Sequence, residues 1–181
     1  MAMTLSFELT DRDLHYFRKM LQQSRDAVRD ADIADILDAV RQTLDEIRNS
    51  VPLPDFVANR LPELDSLLQM LDDDEWQLPE IDREIALASF VYFADPEDIL
   101  PDEIPVIGYL DDVIMIELVC GDLKHVRESY ADFCAYREEF DEEHGADFDA
   151  VVRRDRLDKR RQQLQQRMSR RAASDRKRRL I

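Results

Sequence analysis

The sequence predicts an all-α protein: a compact multi-helix bundle with a proline-bent, aspartate-rich loop between helices and a basic C-terminal tail, helical or frayed. Apolar residues recur at three- and four-residue spacing through most of the first 150 positions, and no strand-like alternation or Asn-Gly hairpin signal interrupts them. The chain also holds only three glycines in 181 residues, too few for the phosphate loops of a Rossmann or P-loop enzyme.

The elements follow in order. Leu14, Phe17, Leu21 and Val28 share one face of a first helix, capped by Thr10 or Asp11. Ile33, Ile36, Leu37, Val40, Leu44 and Ile47 form the stripe of a second, which starts after Asp32. Val51-Pro52-Leu53-Pro54 breaks the pattern. Phe56, Val57 and Leu61 then begin a short helix, and Pro62 fits the first turn of the next, with Leu64, Leu67, Leu68 and Leu71 facing inward. Asp72 to Pro79 reads as an acidic linker, with Trp76 a partly buried packing anchor inside it. A helix from about Pro79 to Ala94 carries Ile81, Ile85, Ala88 and Val91. Helix resumes near Gly108 to Cys120, and a last body helix, about Asp122 to Glu143, presents Leu123, Val126, Tyr130, Phe133 and Phe140. The expected organisation is an N-terminal helical region over 1–75, a second helical domain over 76–148 and a basic tail over 149–181.

Charge divides the chain sharply. Residues 151–181 hold 13 Lys/Arg against 3 Asp/Glu, a local net of +10, whereas residues 1–150 carry −26. Within the tail only Val151, Leu157, Leu164 and Met168 offer apolar surface. Arginine occupies the seam between Leu157 and Leu164, so a solvated helix fraying after Ala172 is expected. Its candidate partner-binding cations are Arg153, Arg154, Arg160, Arg161, Arg170, Arg171, Arg176, Lys177, Arg178 and Arg179. They suit an anionic membrane surface or a nucleic acid, through headgroup attraction or counterion release. They equally suit an acidic protein surface: a partner, a second copy or the chain's own body. Aromatic interleaving is nearly absent from the tail, so base stacking is not indicated. The −26 body also repels a polyanion held closer than a Debye length of about 8 Å.

Met1 to Asp13 shows neither a basic n-region nor an apolar run, so no signal peptide is expected. The most apolar stretch, Ile104 to Cys120, is interrupted by Asp111, Asp112 and Glu117. Each such acid costs roughly 2.5–3.5 kcal/mol at the centre of a bilayer span, so no integral span is expected. Cys120 and Cys134 match no CxxC or zinc spacing and read as reduced thiols. A cytoplasmic placement follows, with peripheral membrane contact as its variant.

The segment from Asp95 to Asp112 departs from generic helix. Pro96, Pro101 and Pro105 forbid a continuous helix, because each lacks an N–H and restricts the residue before it. Ile99, Leu100, Ile104, Val106, Ile107 and Leu110 nevertheless make the segment apolar enough to enter a core. Asp95 before Pro96 suits an N-cap, Asp98 is placed to reach back, and Gly108 permits a positive φ or a close helix approach.

With its Pro96, Asp98, Pro101-Asp102, Pro105, Gly108 and Asp111-Asp112, the stretch from Tyr92 to Met115 resembles the signature of the YkvA-like proteins, domain of unknown function 1232. The likeness extends over roughly 80–120. It implies a small helical domain, found mostly in bacteria, with no established biochemical activity and with some members predicted to be membrane-associated.

Two roles compete for the aspartates. Asp98, Asp102, Asp111 and Asp112 converge on a divalent cation, Mg²⁺ or Ca²⁺, if the loop folds back on the following helix. Otherwise they cap helices and pair with arginines such as Arg83 or Arg127, and no cofactor is expected. Catalytic constellations are not evident: His15, His125 and His144 fall on different helices, and Ser89 and Ser129 lack nucleophile-elbow glycines. The leading function is a non-enzymatic interaction or adaptor module using an acidic helical body and a basic tail. A cation-binding or metal-dependent role at 95–112 is the alternative.

Overall fold

The computed structural model describes residues 6, 8–28, 32–49, 54–93, 110–145 and 148–179. Among these are eight helices and no strand: α1 (Asp11–Val28), α2 (Ile33–Asn49), α3 (Asp55–Ala58), α4 (Leu61–Asp72), α5 (Glu80–Phe93), α6 (Leu110–Asp122), α7 (Lys124–His144) and α8 (Ala150–Arg179). The all-α helical bundle expected from the periodicity is the fold. The bend at 94–109, with Asp95, Pro96, Pro101, Pro105 and Gly108, lies outside the described residues, as do residues 51–53 of the earlier proline break.

The chain forms two compact units. One comprises residues 1–61 and 87–119, the other 62–86 and 120–181. In the first, α1 starts at Thr10, whose backbone N–H and hydroxyl both donate to the Asp13 carboxylate, at 2.9 and 2.7 Å. These bonds depress the Asp13 carboxyl below its ordinary range. Asp32 caps α2 by accepting from the Ala34 N–H at 2.8 Å. The core of this unit includes Leu21, Ile36, Leu37, Val40 and Leu44, together with Phe90, Met115 and Val119. Arg60 and Glu117 pair at its surface.

In the second unit, α4 buries Leu64, Leu67, Leu68, Met70 and Leu71, and α7 buries Val126, Tyr130, Phe133 and Phe140 behind a buried Leu123. Gly145 ends α7 at φ +71°, where its N–H returns to the Asp141 carbonyl at 2.9 Å. Asp149 then caps α8 through the Val151 and Val152 N–H groups. α7 and α8 pack against one another.

Two expectations need correction. Of the α5 stripe Ile81, Ile85, Ala88 and Val91, only Ala88 is fully buried and Ile81 is 69% exposed, while Ala86, Leu87, Ser89 and Phe90 are buried beside it. Five consecutive buried residues mean that this part of the helix is enclosed on every side, and an enclosed helix has no apolar period to read. The tail is also not a solvated helix. Leu157, Leu164 and Met168 are buried, as is Arg161 between them, and α8 extends to Arg179.

Candidate functional site

The second unit contains the densest polar construction among the described residues, and it is built around Asp73 to Gln77. Asp73 accepts from the Glu75 and Trp76 N–H groups at 3.0 and 3.1 Å, closing a tight turn after α4. Gln77 completes the turn in the left-handed region, at φ 49°. The turn drives Trp76 fully into the core, where its ring lies 5.7 Å from Tyr130 and 5.4 Å from Phe133. The other Asp73 contacts run to α7: Tyr130 donates its hydroxyl at 3.1 Å and Arg137 pairs with the carboxylate at 2.8 Å. Segment 72–79 is therefore a packed corner, and Trp76 is more deeply buried than a partly covered anchor.

α8 lies along this corner and returns its polar groups. Arg153 pairs with Glu75 and, through two nitrogens at 2.7 and 2.8 Å, with Asp141. Arg161 donates to the Glu75 carbonyl at 3.0 Å, and Gln165 donates to the carbonyls of Trp76 and Gln77 at 3.2 and 3.1 Å. Glu75 accepts as well from Arg137, at 3.1 Å. Further along, Arg167 pairs with Asp132, Arg171 with Glu128 at 2.9 Å, and His125 with Asp175 at 2.7 Å. The acidic corner and α7 thus neutralise one face of the basic helix.

The electrostatics agree with this geometry. Burial works against the Arg137 charge, but Asp73 and Glu75 outweigh it and hold the guanidinium firmly protonated. The hydrogen bonds that Arg153 donates to Asp141 and Glu75 do the same for its guanidinium, and the bond to Asp141 lowers that carboxyl. Burial, then contacts with Cys134 and Asp73, push the Tyr130 phenol far above its usual range. Burial also raises the Cys134 thiol, against the pull of Tyr130 and Arg137. Cys120 and Cys134 are both free thiols.

The remaining tail cations divide. Arg160 lies over the Tyr136 ring at 5.3 Å. Arg154 and Arg170 are exposed and make no ion pair among the described residues. The side chains of Arg176, Lys177, Arg178 and Arg179 lie outside the described residues.

Of the four aspartates nominated for a cation, Asp98 and Asp102 lie outside the described residues. Asp111 and Asp112 open α6 in the first unit, both buried, and Tyr92 donates its hydroxyl to Asp111 at 3.2 Å. The positive end of the helix dipole favours carboxylates there. Arg127, in the second unit, pairs with Glu63. Among the described residues no group of three or more potential metal ligands converges. No described helix is long and apolar enough to cross a membrane.

Residues 83–118 match the family model described as a protein of unknown function, DUF1232. This segment is similar to the DUF1232 family over 36 of the 181 residues. The DUF1232 match runs from Arg83 in α5 to Leu118 in α6 and takes in Tyr92, Asp111 and Asp112, so the tail lies outside it. No curated protein and no solved structure matches the chain.

Sequence reasoning overlooked Asp73, Glu75, Arg137, Asp141 and Gln165. The one available signal was a tryptophan set among acids in a stretch otherwise resembling a spacer.

Proposed function

We propose that this chain is a non-enzymatic interaction module whose α8 is a fixed, charge-bearing arm. One face of the arm anchors to the acidic corner through Arg153, Arg161 and Gln165. Arg154, at the edge of that corner, and Arg170, on another side of the helix, stay exposed, and the chain continues into the basic run Arg176 to Arg179. The observation that carries the reading is the anchoring itself. A helix held by buried Leu157, Leu164 and Met168 displays its outward cations at set positions, which lowers the ordering cost of binding.

The partner this arrangement fits is an acidic protein surface. A nucleic acid or an anionic membrane is anionic over its whole extent and so meets the −26 charge of residues 1–150 as well, whereas an acidic patch on a protein can be confined to these cations. We place the module in the bacterial cytoplasm, with peripheral membrane attachment as a variant. The free thiols support a reducing compartment.

The test is a pull-down with the full chain against a variant carrying Arg154→Ala and Arg170→Ala and ending at residue 175, alongside DNA and liposome retention at low and moderate salt. The expected result is a protein partner that the variant fails to hold, with salt weakening its capture. Capture unchanged by the variant overturns the reading.

A second reading is a Mg²⁺ or Ca²⁺ site in 95–112, favoured by two adjacent buried carboxylates, Asp111 and Asp112. Calorimetric titration with Mg²⁺, Ca²⁺ and Mn²⁺ tests it; no heat and no shift in melting temperature remove it.

A further inference from the structure

Where α7 turns into α8, the second unit carries aromatic surface that the acidic corner does not use. The Phe140 and His144 rings stack at 4.1 Å and 14°, and Phe148 meets both edge-on, at 5.3 and 4.5 Å. Tyr136 lies one turn earlier, 6.2 Å from Phe140. With Val152 they line a cleft of about 410 Å³. Val152 is 42% exposed, and its chain neighbour Val151 77%. An exposed valine on the wall of an aromatic cleft is apolar surface open to solvent, and such surface marks contact sites.

The charges on the rim say what the contact is. Glu139 and Glu143 approach from α7 and Arg156 from α8, and none of the three makes an ion pair among the described residues. Elsewhere on the same two helices, Arg153, Arg167 and Arg171 are all paired. The partner that complements this rim supplies a cation opposite the glutamates and an anion opposite the arginine, around an apolar centre. A second copy turned about a two-fold axis does both at once, because residue i then meets j and j meets i.

We propose that the α7–α8 hairpin end is a self-association surface, in which Arg156 of one copy faces Glu139 and Glu143 of the other across the aromatic cleft. This goes beyond the acidic-partner reading, because it uses neither Arg154 nor Arg170 nor the run after Asp175. Either proposal can fail without the other.

Sedimentation velocity on the full chain, from micromolar to sub-millimolar concentration, is the test. The expected result is a reversible monomer–dimer equilibrium that Val152→Asp abolishes. The double variant Glu139→Arg/Glu143→Arg and the single variant Arg156→Glu each weaken dimerisation about tenfold or more, and an equimolar mixture of the two restores it as a heterodimer. All of these residues are at the surface, and circular dichroism checks that each variant keeps its helix content. A chain that stays monomeric throughout overturns the proposal. So does a dimer indifferent to these substitutions, or a mixture that fails to restore association.

Discussion

The arginines of α8 share one charge and stand in opposite environments. On the inner face Arg161 is 8% exposed and donates to a backbone carbonyl, and Arg153 bridges Glu75 and Asp141. Arg154 and Arg170, on different sides of the helix, face solvent instead. A basic run is thus not one feature. Its paired cations fasten the helix to the body, and its exposed cations are the ones the proposed function leaves for a partner.

The largest way to break this contrast is through the core that the inner face completes. Trp76→Ala is expected to cost about 3–5 kcal/mol by urea denaturation. Trp76→Phe costs clearly less, because the buried indole N–H makes no hydrogen bond among the described residues that phenylalanine would forfeit. Leu164→Ala, on α8 itself, is expected to cost about 2–5 kcal/mol. A solvated tail predicts almost nothing for it.

Next comes the corner. Asp73→Asn removes the charge facing Arg137 while the Asp73 side chain is only 8% exposed, and about 3 kcal/mol is expected in the same experiment. Smaller again is the effect of acid. The Asp141 carboxyl is held below its ordinary 3.8 by the Arg153 bond, so its contribution is fully present above that value. It is lost as pH falls through the lowered folded value. Melting temperature against pH should therefore show Asp141→Asn less stable than the parent at neutral pH, with the two curves converging in strong acid. Smallest of all, Arg154→Ala and Arg170→Ala should lie within about 0.5 kcal/mol of the parent. A large loss at either position would erase the distinction between the paired and the exposed cations.

The sequence made much of this fold legible. The stripes of α2, α4 and α7 show their period openly, and Thr10 and Asp32 announce their helix starts. Two features concealed themselves for physical reasons. An enclosed helix such as the 86–90 stretch has no polar face to contrast with its apolar one. Arg161, at a seam position between Leu157 and Leu164, looks like a break in a packing pattern until a carbonyl is found to satisfy it. The corner was illegible for a third reason. Asp73 and Glu75 meet arginines 64 and 78 residues away, a separation beyond any local pattern. The aspartate signature stood out because its prolines and acids are crowded into one stretch, and only Asp111 and Asp112 of its four candidate ligands fall among the described residues.

Hydrogen exchange along residues 157–168 measures most directly whether the cationic helix is part of the folded body. Protection comparable to that of residues 126–140 in α7, lowered by Asp73→Asn, is the predicted result. Exchange at the rate of an unstructured peptide while α7 stays protected would contradict it.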